Sequence, residues 1–255
     1  DLEQNDERVI ALKNKFDDHV KSLRKKYLIE KNLCSNEKIH LIQGVPINFE
    51  VYESQLENSK KFDGSLRILF MAHRYMPNAE DKGFPIFQEV ALELIRKYSD
   101  VFFDIIGDFG VKDLDFDSSI ERFKFHGILE EKEFGRVLNE THIILSPNQP
   151  FILNPGAYDG FPLGSCIIAS IFNNALVTSD YFSEAKNYNL IEDIDFLKIE
   201  PKKEKIIPKV QALIEDRDRL KSISFSGREK VYKAYSYSSQ IEKRVDLFRE
   251  IVNKR

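Results

Sequence analysis

Residues 67–106 read RILFMAHRYMPNAEDKGFPIFQEVALELIRKYSDVFFDII, and this stretch decides the predicted fold. The apolar runs at 67–72 and 101–106 have the length and the β-branched or aromatic content of buried strands. Between them, apolar residues recur at the three- and four-residue spacing of an amphipathic helix: Phe87, Val90, Ala91, Leu94 and Ile95. A strand, a helix and a second strand in this order predict two parallel strands joined through a helix.

The same alternation continues towards the C-terminus. Short apolar runs at 123–125, 141–145 and 175–178 predict three more strands, and helices are predicted over 132–140 and 166–172. We therefore predict an α/β fold, with a Rossmann-like parallel sheet covered by helices on both faces. In such a sheet the ligand crevice lies beyond the carboxyl ends of the strands, so the loops that follow the strands hold the candidate functional residues.

The residues that precede this sheet show different patterns. An apolar stripe over residues 9–28 predicts a helix, and residues 37–42 alternate as a short strand. Residues 53–65 are polar, contain Gly64 and lack periodicity, which is typical of a connector between two units. The sequence does not begin with Met, and we expect the chain to be part of a longer protein.

The composition argues against several classes of protein. The chain has 255 residues, with 38 basic and 42 acidic side chains and a formal net charge of −4, so no strong positive field attracts nucleic acid or an anionic membrane. The longest apolar runs are about six to eight residues, far below the roughly 20 needed to cross a bilayer. Cys34 and Cys166 lie far apart, which favours reduced thiols, and no signal peptide is visible. We expect a cytoplasmic protein.

The sequence has no recognisable metal or dinucleotide motif. Its histidines show no metal-ligand spacing, and we expect them to serve in solvent or packing contacts: His19, His40, His73, His126 and His142. There is neither a G-x-G-x-x-G sequence nor a P-loop lysine, and neither cysteine has the His and Asp context of a nucleophile. We therefore expect no metal and no bound cofactor.

Two cations lie in the loop after the first predicted strand. Arg74 and Lys82 fall within HRYMPNAEDKG, residues 73–83, where the crevice is expected. Together they could neutralise a diphosphate, with Arg as a forked donor and Lys as a point charge. Alternatively, both are solvated loop charges, and this segment alone does not decide between the two.

A glycine turn follows the second predicted strand directly. Gly107 and Asp108 begin the sequence GDFG, and a glycine here permits either a tight turn or the close approach of a ligand to the backbone. A plain turn and a ligand contact are equally good interpretations of these residues.

A loop rich in Gly and Pro precedes the helix predicted at 166–172. Asp159 lies in it, and Gly160, Pro162 and Gly164 impose an unusual backbone path into the helix. Backbone N–H groups at such a helix start form an anion site. Since Asp159 would repel an anion, we interpret it as an acceptor of hydrogen bonds from a neutral polyol such as a sugar, or else as a helix cap.

Taken in chain order, these segments resemble the C-terminal half of a GT-B glycosyltransferase of the GT4 type. KYLIEKNLCSNEKIHLIQGVPINFEVY resembles the end of that family's acceptor domain, and RILFMAHRYMPNAEDKG resembles the strand and loop that supply two cations for the donor phosphates. FDIIGDFG and FKFHGILEEKEFGRVLNETHIILSPN resemble the next turn and the following strand–helix–strand unit. DGFPLGSCIIASIFNNALVTSD resembles the segment that carries the family's two acids, and YSYSSQIEKRVDLFREIV resembles its C-terminal crossover helix.

The resemblance implies a division of the chain and an activity. Residues 1–65 correspond to the tail of the acceptor domain and the connector, 66–235 to a nucleotide-sugar-binding domain, and 236–255 to the crossover helix. The implied enzyme is a retaining, metal-independent hexosyltransferase of polysaccharide biosynthesis. It moves a sugar from a nucleotide diphosphate-sugar to a saccharide or lipid acceptor, needs no other cofactor, and contacts the inner face of a membrane at most peripherally.

The resemblance also implies roles for individual residues. Arg74 and Lys82 stabilise the departing diphosphate, and Asp159 lies near the transferred sugar. Further donor contacts are implied for the turn after the second strand, the end of the fourth strand and the start of the following helix: Gly107, Asp108, Ser146, Pro147, Gly160, Phe161, Pro162, Leu163 and Gly164.

One position departs from the family pattern. The second acid of the family, which holds the nucleotide ribose, corresponds to Ile168, and an isoleucine cannot accept hydrogen bonds from ribose hydroxyls. An alternative interpretation is therefore a GT-B-like module without activity that serves as a binding or scaffold partner. Another nucleotide-sugar enzyme of the same fold, such as an epimerase or a phosphorylase, is a third interpretation.

Overall fold

The computed structural model describes residues 47–57, 62, 64–116, 119–154, 157 and 159–253. The helix predicted over 9–28 and the strand predicted over 37–42 lie outside the described residues. Val45–Glu242 forms one compact unit, and the described residues 243–253 fall outside that unit. The implied domain boundaries after residues 65 and 235 stay a prediction.

A six-stranded sheet forms the centre of the described unit. Its strands are, in chain order, β1 (Leu66–Met71), β2 (Val101–Ile106), β3 (Phe123–Phe125), β4 (Ile143–Ser146), β5 (Ala175–Ser179) and β6 (Leu197–Ile199). Neighbouring strands are parallel, and they lie in the order β3-β2-β1-β4-β5-β6. This is the order of a Rossmann-like sheet, and it confirms the predicted α/β fold.

The described residues contain seven α-helices. They are α1 (Phe49–Glu53), α2 (Phe84–Lys97), α3 (Gly135–Leu138), α4 (Gly164–Ile171), α5 (Lys203–Glu215), α6 (Arg217–Tyr235) and α7 (Tyr237–Asn253). The short strand β6 and the charge-rich helices α5 and α6 have no counterpart in the sequence prediction. Within the described part of the chain, no helix is both long and apolar enough to cross a lipid bilayer.

Alternate side chains of the strands enter two buried apolar clusters, one on each face of the sheet. On β1, Ile68 and Phe70 enter the first cluster together with residues of α2, α5 and α6. Leu69 and Met71 enter the second cluster together with residues of α1, α3 and α4. Helices therefore cover both faces, as the continuous apolar runs of β1 and β2 predict.

The region around residue 55 is more ordered than a plain connector. In α1, Phe49 and Tyr52 are each 4% exposed and belong to the second apolar cluster. Gln55 Oε1 accepts a hydrogen bond from the Gly135 N–H at 2.8 Å, and the Gln55 carbonyl accepts one from Asn139 Nδ2 at 2.8 Å. The structure also differs from the helix predicted over 132–140. That segment is a 3-10 turn followed by one short α-helical turn, α3, whose first N–H, at Gly135, is the one that donates to Gln55.

A largely buried group of polar side chains connects three strands. Arg67 on β1 donates two hydrogen bonds to Asp104 on β2, from Nε to Oδ2 at 2.7 Å and from Nη2 to Oδ1 at 3.0 Å. His126 Nε2, directly after β3, lies 2.7 Å from the same carboxylate, whose side chain is 2% exposed. Burial alone would raise the pKa of Asp104, but the hydrogen bonds from His126 and Arg67 outweigh it and lower that pKa.

Candidate functional site

A cavity of about 440 Å³ lies at the carboxyl ends of β1 and β2, where a parallel sheet of this order places its ligand crevice. Its walls come from five places: the strand ends, the loop after β1, the segment between β3 and α3, the loop before α4, and the start of α4. We call the part of the wall around Lys82 and Asp159 its charged end, and the part around Leu163 and Ile168 its apolar end.

Lys82 forms the charged end of the cavity. It closes a 3-10 turn, Glu80–Lys82, and the next residue, Gly83, has a φ of 73°. A Cβ on Gly83 would overlap with the carbonyl group of Pro147, so this close approach of two loops requires glycine. The turn leaves the Lys82 side chain only 8% exposed, although it lines the cavity.

Lys82 lies between two carboxylates. Its Nζ is 3.2 Å from Asp81 Oδ2 and pairs directly with Asp159, which comes from the loop between β4 and α4. The Asp81 side chain is buried, and its Oδ1 has no hydrogen-bond partner within the described residues. Asp159 is different, because its side chain is 40% exposed and lines the cavity. A ligand that enters the cavity can therefore compete with Asp159 for Lys82.

Tyr75 and His73 complete this end of the cavity. Lys82 Nζ lies 4.7 Å from the centre of the Tyr75 ring, which is a cation–π distance. The rings of His73 and Tyr75 are 6.3 Å apart, and both residues line the cavity. From the sequence, His73 is expected in solvent or packing contacts, and Tyr75 carries no signal of its own. Their positions directly after β1 are the signal that could have identified them.

Arg74 is held away from the cavity. Its guanidinium group makes two contacts with the Asp113 carboxylate, at 2.8 and 3.0 Å, and donates to the Pro77 carbonyl at 2.8 Å. It also lies 4.7 Å from the centre of the Phe109 ring. The hydrogen bond between the two charged groups raises the pKa of Arg74 and lowers the pKa of Asp113. The structure therefore brings Lys82 and Asp159 together but leaves Arg74 in a separate ion pair.

The apolar end of the cavity is formed around α4. Leu163 and Ile168 from this helix and its start, with Leu129 and Phe134 from the segment before α3, line the cavity and pack against the second apolar cluster. Ile128 also lines it and is 70% exposed at its rim. Ser165 is the polar side chain that α4 adds to the wall. Of these residues, only Leu163 and Ile168 are predicted site residues.

The turn after β2 forms the floor of the cavity. Gly107 has a φ of 134°, and a Cβ there would overlap with the Ala72 carbonyl oxygen, so the close neighbour of this glycine is the end of β1. The Gly107 N–H donates to the Gly127 carbonyl at 2.9 Å. Asp108 is exposed, whereas Phe109 is buried against Phe84 with 4.5 Å between ring centres.

The remaining predicted donor residues lie in packed positions around the start of α4. Ser146 and Pro147 are buried at the end of β4, and Phe161 and Pro162 are buried and joined by a cis peptide bond. The Phe161 ring is 5.2 Å from that of Phe196. Gly160, with a φ of 84°, has open space where a side chain would be, and Gly164 lines the cavity. Their contacts with a donor stay a prediction.

The described residues offer neither a metal cluster nor an activated thiol. No three His, Cys, Asp or Glu side chains among residues 47–253, as far as they are described, could hold a metal ion together. Cys166 is free and fully buried on α4, and burial raises the pKa of its thiol to about 11. Cys34 lies outside the described residues.

The sequence matches no protein-family profile, and no curated protein matches it. Solved structures do match it. A glycosyltransferase from Rickettsia africae ESF-5 is similar with a TM-score of 0.67 at 15% identity, over 92% of this chain and 62% of that one. HepE from Anabaena, solved in complex with UDP-glucose, is similar with a TM-score of 0.63 at 11% identity, over 89% of this chain and 61% of HepE.

A third structure covers a domain rather than a whole enzyme. It is the C-terminal domain of LpcC, a group 1 family glycosyl transferase from Francisella tularensis, with a TM-score of 0.53 at 20% identity over 76% of this chain and 95% of that domain. The present chain spans only 62% of the length of the Rickettsia protein, so the likeness concerns part of such enzymes. The six-stranded parallel sheet with its helices is the fold of the Rossmann-like C-terminal domain of GT-B glycosyltransferases.

Proposed function

We propose that the chain is the donor-binding half of a retaining, metal-independent glycosyltransferase of the GT4 type. It would transfer a hexose from a nucleotide diphosphate-sugar to a saccharide or lipid acceptor. The pairing of Lys82 with Asp159 carries this proposal, because it places a cation and a displaceable carboxylate in a cavity at the carboxyl ends of the strands. The complex of HepE with UDP-glucose, on a similar fold, supports a nucleotide-sugar as the ligand.

Lys82 is the residue that we assign to the leaving group. When the bond between the sugar and the diphosphate breaks, negative charge builds up on a phosphate oxygen, and a nearby ammonium group stabilises that charge. Asp81 remains beside Lys82 Nζ at 3.2 Å. Lys82 can therefore exchange Asp159 for a phosphate without losing both of its carboxylate partners.

Asp159 is the residue that we assign to the sugar. Its carboxylate accepts hydrogen bonds but cannot donate them, and sugar hydroxyls can supply the donors. Once a phosphate takes over Lys82, this half-exposed carboxylate needs new partners. A sugar attached to that phosphate brings hydroxyl groups to the required place.

Arg74 requires a rearrangement before it can act on the diphosphate. Its guanidinium group would have to leave Asp113 and the Pro77 carbonyl, with which it makes three contacts of 3.0 Å or less. We therefore propose that Lys82 is the principal phosphate-binding cation and that Arg74 contributes less.

The acceptor is assigned to another part of the enzyme. Because the chain spans 62% of the length of the Rickettsia glycosyltransferase, we propose that acceptor binding involves residues outside this sheet. The same proposal places the enzyme in the cytoplasm, in polysaccharide biosynthesis, with membrane contact that is at most peripheral.

A titration with nucleotides tests the proposal directly. UDP, GDP and ADP, alone and as sugar conjugates, are added to this chain, and melting temperature and heat of binding are measured. A ligand at about 100 times its Kd adds roughly 2.7 kcal/mol to the free energy of unfolding, which is a clear melting shift. We expect a shift with one base that is clearly reduced in Lys82→Ala and retained in the control Lys97→Ala. Lys97 lies at the end of α2 and pairs with Glu215. No shift with any nucleotide would contradict the proposal.

A second candidate is a GT-B-like module without activity. Two observations favour it: Ile168 lines the cavity, and both Arg74 and Lys82 are paired with carboxylates of the chain itself. Sugar transfer by the full-length wild type would exclude it. Failure of both the wild type and Ile168→Glu to bind a nucleotide would favour it.

A further inference from the structure

Few basic side chains face the cavity. Among the described residues that line it, those with a basic group are Lys82 and His73. Arg74 follows His73 in the chain, but its guanidinium group is held by Asp113 and the Pro77 carbonyl and does not belong to the cavity wall. A bound anion therefore has two basic partners available in the cavity, and one of them is a histidine.

Tyr75 connects His73 to Lys82. The centre of the Tyr75 ring is 4.7 Å from Lys82 Nζ and 6.3 Å from the centre of the His73 ring. All three side chains come from the segment that follows β1, and all three line the cavity. His73 is exposed, so its imidazole is accessible to a ligand. These contacts place His73 and Lys82 on the same part of the wall.

While His73 is neutral, the charge on this part of the wall is unfavourable for a diphosphate. Lys82 Nζ contacts both Asp81 and Asp159, so these three groups carry a net negative charge when all are ionised. The diphosphate of a nucleotide-sugar is a dianion, and one ammonium group shared with two carboxylates cannot balance it. A second positive charge close to Lys82 would offset the remaining repulsion.

An imidazole can supply this charge. Histidine is the residue type whose ordinary titration falls between about pH 5 and 8, and both nitrogens of the protonated ring donate hydrogen bonds. The other titratable side chains that line the cavity belong to types that ordinarily titrate outside this interval: Tyr75, Lys82 and Asp159. On the neighbouring loops, Asp108 and Asp113 both interact with Arg74.

We propose that His73 binds the diphosphate in its protonated form and supplies the second positive charge beside Lys82. The proposal rests on the proposed function and deepens it, since it adds a phosphate-binding residue and a dependence on pH. The solvent provides the proton. Because more of the imidazole is protonated at lower pH, affinity for the nucleotide-sugar rises as the pH falls from about 8 to about 5.5.

Calorimetric titration of this chain with UDP-glucose, GDP-mannose and ADP-glucose tests the proposal. Their diphosphates are esterified at both ends, so they lack the terminal phosphate ionisation near pH 6 that would otherwise contribute, at about that pH, to the result. For the conjugate that binds, we expect Kd to fall by on the order of tenfold between about pH 8 and about pH 5.5. A change of less than about twofold would overturn the proposal and leave the proposed function intact. Failure of all three conjugates to bind at either pH would overturn both.

Proton uptake on binding is a second measurement. Titrations at about pH 7, in two buffers that differ in their heat of ionisation, give the number of protons exchanged. We expect a net uptake of protons by the wild type and none by His73→Asn, whose amide does not titrate. Binding by the wild type without proton uptake, or the same uptake in His73→Asn, would overturn the proposal.

His73→Lys supplies the matched control, because it places a permanent positive charge at the same position. We expect its Kd to change by less than about twofold between the two pH values. His73→Asn should bind at both pH values with the weaker Kd that the wild type shows at the higher pH. A fall in Kd at low pH that persists in His73→Asn, with melting curves that show it folded, would assign the pH dependence to another group and contradict the proposal.

Discussion

Asp104 and Asp159 are both paired with basic side chains, yet their surroundings are opposite. Asp104 is 2% exposed and is held by Arg67 and His126 between neighbouring strands. Asp159 is 40% exposed, lies on a loop, and meets Lys82 in a cavity. The same carboxylate chemistry therefore holds the sheet together in one place and remains open to a ligand in the other. Burial, more than the residue types, separates the two roles.

The Arg74–Asp113 pair lies between these extremes. Its side chains are 19% and 16% exposed, and the guanidinium is also held by the Pro77 carbonyl. This pair is less buried than Asp104 but has more fixed contacts than Asp159. We therefore expect substitutions at Asp104, at the Arg74–Asp113 pair and at the Lys82–Asp159 pair to differ in their effects on stability and on binding.

Asp104→Ala should have the largest effect on stability. It leaves Arg67 and His126 without their carboxylate in the interior, and breaking a buried pair by removing one partner costs about 3–5 kcal/mol. Urea unfolding, with Asp159→Ala as the matched control, measures the difference. We expect a change of about 1 kcal/mol or less for Asp159→Ala, because Asp159 is partly exposed and Lys82 keeps its second partner, Asp81. Equal losses in the two variants would refute the distinction between the pairs.

Lys82→Ala should have the largest effect on ligand binding. A hydrogen bond between charged groups is worth about 1.5–3 kcal/mol, so we expect nucleotide affinity to fall by roughly 10- to 100-fold. Lys82→Arg retains a cation and serves as the control in the same calorimetric titration. If Lys82→Ala binds the nucleotide as tightly as the wild type, Lys82 does not hold the diphosphate.

Arg74→Ala should reduce nucleotide affinity by less than about tenfold, because Arg74 is already paired with Asp113. This loss is smaller than the one expected for Lys82→Ala. The comparison uses Kd values of both variants and, for the full-length enzyme, kcat/KM. A loss as large as that of Lys82→Ala would show that Arg74 leaves Asp113 when the ligand binds. In that case the two cations act together, and Lys82 is not the principal phosphate-binding cation.

Acid unfolding should show the smallest difference. The pKa values of Asp104 and Asp113 are both lowered in the folded state. Their contribution to stability is therefore complete above the unfolded-state pKa of about 3.9 and is lost as the pH falls through their lowered folded-state values. Asp113→Asn should remove about 1 kcal/mol or less of this pH-dependent stability, because its pair is near the surface. Asp104→Asn should remove more of the pH-dependent stability. A larger loss in Asp113→Asn than in Asp104→Asn would contradict the distinction between the buried pair and the pair near the surface.

The strand pattern was sufficient to predict the sheet and the place of its crevice. The apolar runs of β1 and β2 predicted parallel buried strands, and the strand-end rule placed Lys82 and Asp159 near each other although 77 residues separate them. The pairing of Arg74 with Asp113 could not be predicted, because it depends on where a loop 39 residues away folds back. Nor could the close approach of Gly107 to the Ala72 carbonyl oxygen, since it depends on how the ends of β1 and β2 lie beside each other.

Two further features of the site depend on backbone conformation that the apolar pattern does not contain. Asp81 is one of many acidic residues in the sequence, and its carboxylate lies beside Lys82 Nζ within one 3-10 turn. Ile128 and Phe134 line the cavity from the chain between β3 and α3, which forms short turns instead of one long helix.

The position of Lys82 between Asp81 and Asp159 also has a kinetic consequence. With one positive and two negative side chains, the charged end of the empty cavity carries a local charge of about −1 when all three groups are ionised. An approaching diphosphate is therefore not attracted from a distance, and its encounter with the site gains nothing from electrostatic steering. The association rate constant of the diphosphate should thus be insensitive to ionic strength or rise slightly with added salt. At a site with an unpaired cation, the same rate constant would fall as salt is added.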